Sequence, residues 1–226
     1  MNTSMMNILL YILIITIPLL AQLKVNGAYN KYKKEKNVKE LTGFEVARKI
    51  LDKNGLEDIY IVETTGKLSD HYDPSRKVIK LSKDIFHGDT IAAASVAAHE
   101  CGHAIQDKDN YLFMRIRSLL VPVVNLVSGF SWIVIFIGLM TEYFNIFAFG
   151  IGLISISLVF QIITLPVEFD ASKRAKKELT ELNLIANNEN TQVSNMLNAA
   201  AMTYVASVLT SILEILRLII IFSDDR

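Results

Sequence analysis

The sequence predicts a mainly helical membrane protein, with four transmembrane helices and a small α+β domain outside the bilayer. Three observations predict it. Hydrophobic residues make up 51% of the 226 positions and mean hydropathy is +0.34, both high for a soluble domain. The apolar residues gather into four long, nearly charge-free stretches, each long enough to cross about 30 Å of hydrocarbon. Most of the polar remainder lies between the first two stretches and has helical and strand-like periodicities of its own. The 23 basic and 23 acidic residues cancel, so no global field favours nucleic acid and no such partner is expected. With a single cysteine, Cys101, an intramolecular disulfide is excluded.

The first stretch, residues 6–23, carries no charge. A cleaved signal peptide would place a basic residue ahead of the apolar run. Here none precedes it, and Lys24, Lys31, Lys33, Lys34 and Lys36 follow. That asymmetry predicts a retained anchor, with its N-terminus outside and the following residues in the cytoplasm. Residues 24–42 read as a basic polar linker near anionic lipid. Residues 43–54 place Val46, Ile50 and Leu51 on one face of an amphipathic helix closed by Gly55. Ile59–Val62 reads as a strand, residues 70–74 as a turn and Lys77–Leu81 as a second strand. The two strands are expected to pair and to pack on helices, because two strands alone are marginal. A free edge on Lys77–Leu81 that accepts an extended peptide is the less favoured alternative. Residues 82–90 connect to the next helix.

That helix is expected over 90–106, with Thr90 as N-cap. It holds the densest chemical signal, Ala98-His99-Glu100-Cys101-Gly102-His103, an H-E-x-x-H pattern. Residues four apart share a helix face, so His99 and His103 can direct ring nitrogens at one metal ion, with Glu100 in reach of a bound water. Cys101 reads as a small packing residue. Gly102, which costs about 1 kcal/mol relative to Ala in a helix interior, makes room either beside the metal or for a packed neighbour.

Spans are predicted at 118–140 and 144–166, joined by the short turn Thr141-Glu142-Tyr143. Arg115 and Arg117 before this hairpin, and Lys173, Arg174, Lys176 and Lys177 after it, put both ends in the cytoplasm. Residues 167–198 are polar and helical in pattern. Residues 199–222 form a fourth span in which Glu214 and Arg217 can pair, an interfacial amphipathic helix being the alternative.

A catalytic zinc takes three protein ligands and leaves one position open. The hairpin returns Glu168 to the membrane face where the His103 helix ends, which favours it over the other glutamates. Spacing alone also allows Glu168 to be an ordinary charge at a span end, and Asp170 is a competing ligand on another helix face. Ser172 lies four residues after Glu168 and could orient a ligand. His71, Tyr72 and Tyr204 are candidate oxyanion donors; His71 reads equally as a turn hydrogen-bonder and Tyr204 as an interfacial anchor. His87 reads as a surface residue.

The segments AAHECGHAIQ, DHYDPSRKVIKLS, LPVEFDASKRA and AAAMTYVAS together resemble the YugP-type family of membrane-bound putative neutral zinc metallopeptidases, over most of the chain past residue 42. They are more distantly similar to the HtpX-type and CAAX-prenyl zinc proteases. In that wider group the residue four after the glutamate ligand is usually Asp, where this chain has Ser172. The resemblance implies a zincin-like peptidase domain over 24–117, with Zn2+ on His99, His103 and Glu168 and with Glu100 as catalytic acid and base. It implies an endopeptidase acting on protein or peptide substrates at the bilayer of a prokaryotic plasma membrane, and the distribution of lysines and arginines puts the active site on the cytoplasmic face. A catalytically inactive zinc-binding scaffold is the alternative, and it would have no use for Glu100. A protease cutting within the bilayer is disfavoured because Gln106-Asp107-Lys108-Asp109 is too polar for that depth.

Overall fold

The structure, a computed structural model, describes residues 3–224. It is mainly helical. In chain order the described residues form α1 (Thr3–Tyr32), α2 (Gly43–Lys53), β1 (Tyr60–Thr64), β2 (His71–Asp73), β3 (Val78–Ser82), α3 (Lys83–Phe86), α4 (Ile91–Lys108), α5 (Leu112–Thr141), α6 (Phe144–Glu181) and α7 (Asn190–Asp224). Four of these helices, α1, α5, α6 and α7, are long and apolar enough to cross a membrane.

Contacts divide the chain into two units. One comprises the residues up to Gln22, Arg115–Pro166 and the residues from Thr203 onward. Within it α5 and α6 form a hairpin that turns at Glu142, which has a positive φ of 55°. The two helices touch backbone to backbone where a Cβ on Gly138 would fall inside 3 Å of Phe147. Such close approach at small residues is how helices gain dispersion energy in lipid. Ile135, Phe147, Ile154 and Leu218 make its core, with Phe147 stacked on Phe222 at 4.3 Å. Some polar groups here pair: Arg217 meets Glu214 at 3.4 Å and lies over the Tyr11 ring at 5.0 Å, and Ser211 donates to Gln161 at 2.9 Å. An unpaired charge at such a position would be expensive.

The second unit comprises Leu23–Met114 and Val167–Met202. Its centre is α4, most of whose residues are buried. A three-stranded sheet in the order β1-β3-β2 lies in this unit. β3 runs parallel to β1 and antiparallel to β2. The pairing of the two expected strands is therefore present, but residues 71–73, expected in a turn, form the third strand. Tyr72 is buried, and burying its ring outweighs the turn signal around it. The turn falls later, where Asp73 Oδ1 accepts from the amides of Ser75 and Arg76 at 3.0 and 3.2 Å, an Asx arrangement. β3 is consequently the central strand, and Lys77–Leu81 offers no free edge.

Residues 24–42 are not a free linker. α1 continues to Tyr32, and Val25, Tyr29 and Tyr32, spaced on one helix face, are buried, the two tyrosines in the core of this unit. Lys36 pairs with Asp89 at 2.6 Å, and Asn37 donates from its backbone to Asp89 at 2.9 Å. The buried aromatic face outweighs the lysines on the opposite side. α2 begins at a capping box between Thr42 and Glu45, worth about 1 kcal/mol, and buries Val46, Ile50 and Leu51 as expected, with Ala47 beside them. The segment after β3 contains the one-turn α3, with Phe86 against Phe44 at 5.0 Å between ring centres. The helix expected over 167–198 is interrupted. α6 ends at Glu181, Asn183 takes a positive φ of 51°, and α7 starts at Asn190. The buried Glu189 carboxylate holds this break together, accepting from the backbone amides of Val38 at 2.8 Å and Ala186 at 2.7 Å.

Candidate metal centre

α4 reaches the centre of its unit because its buried face is built from small residues. Ala92, Ala93, Ala94, Ala97 and Ala98 are fully buried, which lets neighbouring backbones approach. At Gly102 a Cβ would sit 2.5 Å from the carbonyl oxygen of Ala171. The glycine is thus explained by a packed neighbour: α6 passes so close that only hydrogen fits. One turn before Ala171, on the same α6 segment, is Glu168.

That approach assembles three side chains. Glu168 Oε2 lies 3.2 Å from His99 Nε2 and 3.6 Å from His103 Nε2. The two imidazoles are 4.8 Å apart and nearly perpendicular. One ligand atom from each of the three residues falls within 4.8 Å of the others. Glu168 and His103 are buried. The other ring nitrogens are engaged: His99 Nδ1 lies 3.2 Å from Ser172 Oγ and His103 Nδ1 lies 3.0 Å from Gln106 Oε1. Both rings therefore present Nε2 to Glu168 and keep Nδ1 for a hydrogen bond, the usual disposition of metal-ligating histidine. Two imidazole nitrogens and one carboxylate oxygen form a donor set that fits a zinc ion.

Glu100 follows His99 on α4 and is 7% exposed. Its Oε2 accepts from the Tyr72 backbone amide on β2 at 3.0 Å. Burial pushes the Glu100 carboxyl up to about 7; the charge on His99 opposes this and that on Glu168 reinforces it. The other residues singled out in the sequence are placed as follows. Tyr72 gives its phenol to Asp107 at 2.9 Å, and burial followed by that bond raises its pKa; its backbone amide is what touches the site. His71 is exposed and bonded through Nδ1 to Ser69 O at 2.8 Å, a turn contact. Tyr204 belongs to α7 in the other unit. His87 is exposed but has a partner, Glu63, at 2.7 Å. Cys101 is buried with Sγ 3.6 Å from Ala47 O, and burial pushes its thiol well up, as suits a packing residue. Asp170 is engaged elsewhere, by Arg174 Nε at 2.6 Å and Gln106 Nε2 at 2.9 Å. Gln106, which bonds His103, carries no site signal by type, because in sequence it reads as the first polar residue of a helix end. Its place three residues after His103, hence on the same face, is the signal that could have found it.

A mainly helical membrane protein that gathers two histidines and a glutamate, one histidine and the glutamate buried, is a membrane protein with a candidate zinc site. The chain belongs to the family described as "Putative neutral zinc metallopeptidase", whose model matches residues 7–223, and zinc is its cofactor. It is 44% identical over 206 residues to the "Putative membrane protease YugP" of Bacillus subtilis (strain 168), an alignment that covers 91% of this chain and 92% of that relative. No solved structure matches the chain.

Proposed function

We propose that this protein is a membrane-bound zinc metallopeptidase that hydrolyses peptide bonds, with His99, His103 and Glu168 as the zinc ligands and Glu100 as general base and acid. The observation that carries this reading is the convergence of three ligand atoms within 4.8 Å beside a buried carboxylate from the same helix turn. When bound, zinc would polarise the peptide carbonyl and lower the pKa of a water from 15.7 to about 7. The chain's own residues do the rest. The Tyr72 amide holds Glu100 Oε2 and leaves Oε1 to take the proton of the attacking water. Glu100 then delivers that proton to the leaving amine nitrogen, a role typically worth about 10²–10⁴-fold in rate. Ser172 and Gln106 hold the two ligand rings in orientation.

The peptidase domain is residues 24–117 together with the Glu168-bearing segment, and an H-E-x-x-H helix packed with a small sheet is a zincin-like arrangement. The lysines and arginines that flank the spans favour a site on the cytoplasmic side of a prokaryotic plasma membrane, with membrane-associated proteins or peptides as endopeptidase substrates. Glu100→Gln tests the reading. The variant is expected to keep its zinc and to lose cleavage by about 10²–10⁴-fold, so that quantitative proteomics of membrane fractions shows a set of peptides cut only by the wild type. Wild-type cleavage by Glu100→Gln would overturn the assignment.

A further inference from the structure

Gln106 is fully buried, although glutamine is mostly a surface residue. Its amide is completely committed. Oε1 faces His103 Nδ1 at 3.0 Å, and Nε2 donates to the Val167 carbonyl at 2.8 Å and to Asp170 Oδ2 at 2.9 Å. Those contacts leave no freedom in which end of the amide points where. A carbonyl and a carboxylate only accept, so both Nε2 hydrogens belong to them, and the oxygen must face the histidine. An amide oxygen only accepts as well, so His103 must carry a proton on Nδ1. Nε2, the nitrogen turned toward Glu168, is the one left to bind metal.

We propose that Gln106 is the positioning residue of this centre: its amide fixes which nitrogen of His103 meets the metal, and it clamps α4 to α6 at Val167, the residue before Glu168. The inference rests on the reading of His103 and Glu168 as metal ligands. The corresponding contact at His99 works differently. A Ser172 hydroxyl donates or accepts with equal ease, so it imposes no tautomer. Only the contact at His103 is directional, and the Gln106 side chain that makes it also reaches across to the Val167 carbonyl and Asp170 on α6. The bonds continue outward from Asp170 to Arg174 at 2.6 Å, and from Arg174 to Asp109 at 2.5 Å. Arg174 also lies over the Tyr111 ring at 5.9 Å. Asp170 thus holds Gln106 as Gln106 holds His103.

The test measures Zn2+ affinity by chelator competition, and the visible spectrum of the Co2+-substituted site, on the full chain purified in detergent. Gln106→Met keeps the length of the side chain and removes every polar contact. It is expected to weaken zinc binding about 10–100-fold, the usual cost of losing a residue that supports a ligand, and to alter the cobalt spectrum. Asp170→Ala, at a partly exposed position, is expected to weaken zinc binding several-fold by loosening the amide. The double variant is expected to bind no more weakly than Gln106→Met alone, because both changes act through one contact. Wild-type zinc affinity and cobalt spectrum in Gln106→Met, however far its Tm falls, would show a purely structural glutamine and overturn the proposal. If Gln106→Met does not fold, wild-type affinity in Asp170→Ala overturns it. His103→Ala is the control for the underlying reading: stoichiometric zinc in that variant would remove the ligand assignment itself, whatever the Gln106 variants do.

Discussion

The two halves of the proposed metal centre are built in opposite ways. On α4, His99, Glu100 and His103 occupy little more than one helical turn, so the geometry of the helix alone relates them. On α6, Glu168 lies 69 residues from His99 in sequence and reaches it through tertiary structure. The approach at Gly102 and Ala171 brings the two backbones together, and Gln106 ties them. A local motif survives anything short of unfolding its helix. A ligand delivered by packing depends on every contact that sets the distance between helices. The α6 half is therefore where mutations far from the chemistry should be felt, and each substitution below probes whether that asymmetry holds.

The largest effect is expected from Glu168→Ala. It removes the only contribution α6 makes to the donor set and leaves a two-histidine pair. Zinc content of the purified protein should fall to background on elemental analysis, with affinity lower by roughly 100-fold or more, at or beyond the upper end for losing a mere supporting residue. Asp170→Asn, on the same helix, should leave Glu168 in place and retain zinc. Unchanged metal in Glu168→Ala would reduce the site to its α4 half and erase the comparison.

How far the two halves were legible in the sequence follows the same division. The spans and the H-E-x-x-H helix depend on hydropathy and spacing within a single element, and both were readable. Glu168 was reachable only by following the hairpin, and Asp170 could not be set aside on spacing. What separates them is a contact network: Asp170 is taken up by Arg174 and Gln106. Residues 70–74 read as a turn because two Asp and a Pro stand among the five residues. The burial of one tyrosine and pairing with β3, both tertiary, made residues 71–73 a strand, and that strand supplies the amide that holds Glu100. Lysines likewise concealed the buried face of Val25, Tyr29 and Tyr32, because composition records the charge and not the side of the helix it occupies. Gln106 was concealed by its type.

An intermediate effect is expected from Gly102→Ala, which leaves every ligand in place. The substitution should gain about 1 kcal/mol in helix propensity. Against that, the new methyl would sit 2.5 Å from the Ala171 carbonyl oxygen, a backbone atom with no rotamer to yield, and overpacking typically costs about 1–3 kcal/mol. Packing should win, so Tm falls. Because the helices must separate at the point that sets Glu168 against the histidines, zinc affinity should fall too. A more stable Gly102→Ala with wild-type affinity would mean that α6 has slack, and that the ligand distance is set elsewhere.

The smallest effect is expected from Ser172→Ala. Ser172 is buried, with Oγ 3.2 Å from His99 Nδ1, but the His99 ring beside it is 16% exposed, so a water is expected to take the place of the hydroxyl. A water is enthalpically nearly as good as a direct hydrogen bond, at a cost of about 0–2 kcal/mol in immobilisation. The loss in zinc affinity should therefore be at most about 30-fold and smaller than that of Gln106→Met, whose site is fully buried and closed to water. Chelator competition on the two variants side by side measures the difference. Equal losses would show that the two histidines are held with equal force, and that the full burial of Gln106 adds nothing to its hold on His103.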